Sequence, residues 1–197
     1  MLSACQAILF GRTPIQEKFL RSLAQRCGFG HIGGFGDVTE NVAPINFILV
    51  HYLLGDELLS GILRAIRSSD SLLRFSPVIL IADDCPFERV LAYIELGLDD
   101  VISLPENREE IIQRLATQLD TEHTYFETLD YFGPDRRRMR ADAGDDRRKG
   151  TAGHSRYRFR RDVSCGIEII DHEVYAIAHF EATPRWSPLE QSGLIHS

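Results

Sequence analysis

No stretch of 18 apolar residues occurs in this sequence, so no membrane-crossing helix is expected. It does not open with a positively charged segment leading into a short apolar core, and a cytoplasmic location is the expectation. Cysteine is scarce and unsuited to staples or metals. Cys5, Cys27, Cys85 and Cys165 form no C-x-x-C pair and no zinc-type cluster, which leaves four reduced, small apolar side chains. Nothing after residue 130 reads as a helix-turn-helix, and the β-rich, proline-punctuated end gives no DNA-binding output unit. A nucleic-acid partner is therefore not expected.

What is present fits a soluble globular body with an appendage. Hydrophobic residues make up 44% and charged residues 26%, both ordinary for a packed domain. The net charge of −7 is unevenly spread: residues 1–130 hold 10 Lys/Arg against 19 Asp/Glu, residues 131–161 hold 11 against 4, and residues 162–197 hold 1 against 6. A mildly acidic body thus carries a basic segment and an acidic end.

Along the chain, strands and helices alternate. Ala7 to Phe10 reads as a buried strand, Pro14 opens a helix, and Phe19, Leu20, Leu23 and Ala24 follow at helical spacing up to Cys27-Gly28. A strand is predicted near His31 to Phe35, and a short helix between Asp37 and Pro44. Phe47 to Val50 run unbroken into His51 and the Gly55 loop, as in a strand buried on both faces of a parallel sheet. A helix follows from about Asp56 to Ser69, with Leu58, Leu59, Ile62, Leu63 and Ile66 along its face. Pro77 opens a strand over Val78 to Ile81, Pro86 starts a helix to Leu96, Asp100 to Leu104 is the fifth strand, and Glu109 begins a long last helix. Five strands alternating with five helices specify a doubly wound, five-stranded parallel sheet of the α/β class. Ligands collect at the carboxyl ends of such strands. The string Gly28-Phe29-Gly30-His31-Ile32-Gly33 fits G-x-G-x-x-G, but a helix precedes it and a strand follows, the reverse of a dinucleotide loop. It reads as a helix-to-strand turn.

This order, with Phe47–Gly55, Pro77–Ala82 and Gly97-Leu98-Asp99-Asp100-Val101-Ile102-Ser103-Leu104-Pro105, resembles the receiver domain of bacterial two-component response regulators over residues 4–122. The last segment is similar to the family's G-A-D-D-Y-(aliphatic)-x-K-P. The resemblance implies an aspartate phosphorylated at the third strand's tip, an acidic pair holding Mg²⁺ after the first, a Ser/Thr after the fourth and a lysine near the fifth. A carboxylate attacks phosphorus only when a hard cation neutralises the phosphoryl charge and fixed donors hold its oxygens. Here the acidic pair falls on Gly11 and Arg12, the phosphoacceptor on His51, the Ser/Thr on Ala82 and the lysine on Leu104. The resemblance is therefore to a pseudo-receiver, phosphorylation-independent and not an enzyme. His51 reads as a hydrogen-bonded loop-edge histidine, or one modulating a pH-sensitive contact, in preference to a phosphohistidine or metal ligand. Asp83-Asp84 reads as a solvated turn in preference to replacement metal oxygens. What remains of a receiver is its binding face, the helix from Pro86, the fifth strand and the last helix. Tyr93 there is either a contact anchor or a half-buried core residue.

The end of the chain is read in three pieces. Ile111, Leu115, Leu119, Phe126 and Leu129 continue an apolar stripe up to Gly133-Pro134, which predicts an extended last helix within a domain of residues 1–130 and a homodimer seam. Residues 131–161 form a basic linker, and residues 133–155 are expected to be disordered when free. Phe132-Gly133-Pro134-Asp135-Arg136-Arg137-Arg138 is similar to stretches appended to some alphaproteobacterial receiver-like proteins. Arg140-Ala141-Asp142 resembles the R-x-D elements of receiver-like proteins whose arginine-rich tails bind cyclic di-GMP. Arginine forks suit phosphate and the guanine edge, so Arg136, Arg137, Arg138, Arg140, Asp142, Arg147 and Arg148, with Trp186 as a stacking surface, are the candidate ligand- or partner-binding residues. Residues 162–197 form a β-hairpin extension, Val163–Ile170 and Val174–Phe180 around Asp171-His172. Asp162-Val163-Ser164-Cys165-Gly166 falls one place short of the D/N-x-S-x-x-G of PilZ receptors, and the remaining chain is too short for that barrel. The expected function is a non-phosphorylatable signalling protein that binds a histidine kinase, a response regulator or another pathway component. The alternative is a cyclic di-GMP receptor; no other cofactor and no metal is implied.

Overall fold

A computed structural model describes residues 1–34, 42–135 and 153–175. Five parallel strands, β1 (Cys5–Phe10), β2 (His31–Gly34), β3 (Ile45–His51), β4 (Val78–Asp83) and β5 (Asp100–Leu104), pair in the order β2-β1-β3-β4-β5. Helices α1 (Pro14–Cys27), α2 (Asp56–Arg67), α3 (Phe87–Leu96) and α4 (Arg108–Ala116) cover the two faces. The period of two along β3 sorts its side chains between them. Phe47 and Leu49 join Leu20, Leu23, Ile111 and Leu115 of α1 and α4, whereas Ile48 and Val50 join Leu59, Leu63, Tyr93 and Ile94 of α2 and α3. Helix α1 starts where Thr13 Oγ1 accepts from Gln16 N and Pro14 needs no N–H partner, and it stops at Gly28, left-handed at φ 85°. The expected helix between Asp37 and Pro44 falls largely on residues outside those described.

The extended last helix is not formed. Helix α4 ends at Ala116, and Glu122–Thr128 is a strand, β6. The seven-residue step from Leu119 to Phe126 imitates helical spacing, but Glu-His-Thr-Tyr-Phe-Glu-Thr is rich in aromatic and β-branched residues suited to a pleated surface. Between the two elements Asp120 takes a left-handed conformation at φ 54°. With the helix goes the seam on which the homodimer expectation rested.

Strand β6 instead belongs to a second, antiparallel sheet with β7 (Tyr131–Pro134), β8 (His154–Asp162) and β9 (Gly166–Tyr175), in the order β7-β6-β8-β9. The ends of the expected linker, residues 131–134 and 154–161, are thus paired strands. The hairpin turn lies at 163–165 and not at Asp171-His172, because Asp162 Oδ1 accepts from both Ser164 N (2.7 Å) and Cys165 N (3.0 Å) and Gly166 takes φ 95°. The near-PilZ string is this turn.

The second sheet lies against the amino ends of the parallel strands. Its inner face puts Tyr125, Phe132 and Phe159 on Phe75, ahead of β4. Beside them sits a buried charge cluster. Asp99 Oδ1 accepts from Arg161 Nη2 (2.8 Å) and Tyr125 Oη (2.5 Å), and Oδ2 accepts from Arg67 Nη2 and Val78 N, both at 2.8 Å. Arg161 is fully buried and also donates to Phe75 O (2.9 Å), Gln118 Oε1 (2.7 Å) and Tyr125 Oη (2.7 Å). Burial alone would raise the Asp99 pKa; Arg161 and then Arg67 outweigh it and hold the carboxyl below its ordinary range.

Candidate functional site

The carboxyl ends of β1, β3, β4 and β5 place Gly11, Arg12, His51, Ala82 and Leu104 at one end of the parallel sheet. Gly11 packs against the start of α1, where a Cβ would meet Glu17 N at 2.8 Å. No longer side chain fits there. Arg12 is exposed, and its backbone N–H donates to Gln16 Oε1 at 2.7 Å. Ala82 is buried in register with Ser103, and Leu104 packs half-buried on the core. Neither offers a polar atom for a phosphoryl group.

His51 ends β3 with only 9% of its surface exposed. Its Nδ1 accepts from Leu53 N (3.2 Å), capping the 3-10 turn Tyr52–Leu54, so Nδ1 carries no proton. The ring stacks on Tyr52 with centroids 5.1 Å apart and meets Phe19 edge-on at 5.6 Å. Burial lowers its pKa, and the nearby Asp83 charge only partly offsets this. A neutral histidine held on both sides and spent on a backbone N–H is a structural cap. Of the two readings of His51, the loop-edge hydrogen bond is the one the geometry supports.

Asp83 ends β4 and Asp84 follows it. Asp83 Oδ2 accepts a long bond from Tyr52 Oη (3.4 Å), Asp84 turns the chain at φ 40°, and both are exposed. Among the described residues no group of three His, Cys, Asp or Glu could hold a metal ion, and no helix is long and apolar enough to cross a membrane. Tyr93 is buried, donating to Asp56 Oδ1 (3.3 Å) and accepting from Arg89 Nε (3.2 Å). It is a core residue, not a surface anchor. Within Gly28–Gly33, residues 28–30 turn the chain from α1 into β2 and residues 31–33 already lie in β2. Arg136, Arg137, Arg138, Arg140, Asp142, Arg147, Arg148 and Trp186 lie outside the described residues.

Two features of the molecule escaped the sequence. Leu58, assigned above to the buried stripe of α2, is 50% exposed, because Leu59 and Leu63 take the core positions. The partnership of Arg67 and Asp99 with Arg161 has no counterpart in sequence spacing, since 62 residues separate the two ends of its longer pair.

No family model and no curated protein matches the sequence. Among solved structures it is similar to a chain from Chloroflexus aurantiacus J-10-fl named as a response regulator, at 13% identity and a TM-score of 0.44, covering 57% of this chain and 94% of that one. It is also similar to the signal receiver domain of a signal transduction histidine kinase from Syntrophus aciditrophicus, at 19% identity and a TM-score of 0.41, covering 58% and 92%. The fold rests on the chain's own geometry. A parallel sheet in the order 2-1-3-4-5 with helices on both faces is the flavodoxin-like arrangement shared by receiver domains, and residues 5–116 have that fold.

Proposed function

We propose that the chain is a receiver-like signalling protein that is not phosphorylated and acts by contact with other proteins in two-component-type regulation. The observation that carries this reading is the state of the carboxyl-end tip. His51 stands where an acceptor carboxylate would stand and is engaged with Leu53 N, Arg12 brings a positive charge to the metal corner, and Ala82 and Leu104 supply no donors. In-line phosphoryl transfer depends on positioning and charge stabilisation by a metal and fixed donors, and none of these groups can provide it. The partners that suit the reading are a histidine kinase, a response regulator or another component of such a pathway.

The test is to incubate the full chain with Mg²⁺ and a small phosphodonor and to read its intact mass. No phosphoryl adduct is expected. An adduct that survives at neutral pH would overturn the reading.

A further inference from the structure

The tip that lacks phosphoryl chemistry is not bland. Leu53 follows β3, Leu58 lies in the first turn of α2, and Phe87 opens α3; they are 52%, 50% and 68% exposed. The loops that carry them are tied together, by Arg89 Nη2 on Asp56 Oδ1 (3.0 Å) and by Tyr52 Oη on Asp83. A hollow of about 380 Å³ runs from Arg12 along Leu54 to Leu58. Leu58 lines this hollow, and Leu53 and Phe87 stand outside its lining at the same end of the sheet; exposed apolar groups that share one end and are rimmed by charge mark interaction sites, whereas singly scattered ones do not.

The rim selects the occupant. Asp56, Glu57, Asp83, Asp84 and Glu88 are exposed there, against the guanidiniums of Arg12 and Arg89, the second of which is taken up by Asp56. Nucleic acid and anionic membranes are repelled by such a rim. A second copy docking through the same face would oppose like charges. The complement is an apolar stripe flanked by Lys or Arg, and a concave seat between helix starts suits a helix laid into a groove. Resting on the reading of this end as stripped of chemistry, we infer that the carboxyl-end tip is a docking surface for a basic amphipathic helix of a partner protein. Leu53, Leu58 and Phe87 are its apolar anchors, and the carboxylates guide the approach.

Random peptides of about 15 residues, long enough for a helix to begin to hold, are displayed and selected on the immobilised full chain. The enriched sequences are then synthesised and titrated. The expected set is net positive with apolar residues at i, i+3 and i+4, and its binding weakens with added salt. It should lose at least about tenfold in the Leu58→Ser/Phe87→Ser variant, a hot-spot-sized effect, and change less than about twofold in Leu129→Ser, at the far hairpin. Circular dichroism checks that these surface variants fold. The inference is overturned if no peptide is enriched, if the enriched set is neutral or acidic, if binding survives Leu58→Ser/Phe87→Ser, or if this face proves to join two copies of the chain. Any of these with no phosphoryl adduct removes only the surface, whereas an adduct removes the non-phosphorylated reading itself.

Discussion

Removing the buried carboxylate of Asp99, with Asp99→Asn, should harm this protein more than removing one of its two arginine partners, with Arg161→Met. At neutral pH Asp99, Arg67 and Arg161 sum to one positive charge, and all three are buried. Arg161→Met leaves a neutral Arg67–Asp99 pair. Its cost is the broken buried ion pair, about 3–5 kcal/mol, which includes leaving Phe75 O and Gln118 Oε1 without their donor. Asp99→Asn keeps the shape but leaves two guanidiniums facing one amide. Each bonds a different oxygen of one carboxylate at 2.8 Å, so the bonded nitrogens lie no more than roughly 8 Å apart, and at an effective dielectric of 20 the repulsion is at least about 2 kcal/mol. That repulsion is already present in the wild type and Arg161→Met relieves it, whereas Asp99→Asn keeps it and loses both attractions; at about 3–5 kcal/mol for each broken buried pair the total exceeds about 5 kcal/mol, the lower end of the stability of a whole domain.

Urea unfolding followed by circular dichroism reads both costs. Wild type should unfold in one transition and Arg161→Met in one shifted transition, while Asp99→Asn should be largely unfolded or insoluble. If Asp99→Asn is tolerated as well as Arg161→Met, the charge arithmetic fails. If the variants and wild type alike show two separate transitions, the cluster does not couple the two sheets.

Two further outcomes follow from the same contacts. A chain ending at Asp130 loses β7, β8 and β9, and with them Arg161 and Phe159; it should aggregate or bind a hydrophobic dye, and a soluble monomer with cooperative unfolding would show that the second sheet is dispensable. His51 titrates below its ordinary 6.5 in the folded state because of burial, so its contribution to stability is whole above the unfolded value and is lost as pH falls through the lower folded one. His51→Asn can keep the Leu53 cap without titrating, so the wild-type-minus-variant stability should be flat above about pH 6.5 and fall towards about pH 5; a flat difference throughout would mean that His51 titrates normally.

The parallel sheet was legible because its strands announce themselves. Buried on both faces, β3 and β4 are unbroken apolar runs, and α1 is bracketed by Thr13-Pro14 and Gly28, whose roles follow from backbone sterics alone. Of the second sheet, the C-terminal hairpin was legible though its turn was misplaced, and the rest was illegible for a definite reason. In Arg-Tyr-Arg-Phe-Arg-Arg the inward positions of β8 alternate properly at Tyr157 and Phe159, but the third is Arg161, a charge, so the hydrophobic period breaks where the strand is most deeply buried. A guanidinium enters a core only when distant partners satisfy it. Those partners, Phe75 O, Gln118, Asp99 and Tyr125, come from four places that only the folded chain brings together. Asp99 was noticed as part of a family-like segment, but not as the ligand of two arginines. At the tip the residues Gly11, Arg12, His51, Ala82 and Leu104 were legible one by one. The engagement of His51 by Leu53 N was not, since it depends on how the chain turns after the strand.

The two ends of the parallel sheet therefore carry different burdens, and α2 connects them. At about 1.5 Å per residue its 12 residues span about 18 Å. Its first turn presents Leu58 at the open carboxyl end, and its last residue, Arg67, is bonded to Arg74 O, Ser76 O and Asp99 at the covered amino end. A helix fixed in this way at one end cannot slide as a rigid rod when its other end is touched, because sliding would pull a guanidinium from a buried carboxylate at a cost of several kcal/mol. A partner at the tip thus meets a preformed seat. The part free to respond is the first turn of α2 with the loops around it, while the second sheet stays in place as long as Asp99 holds both arginines.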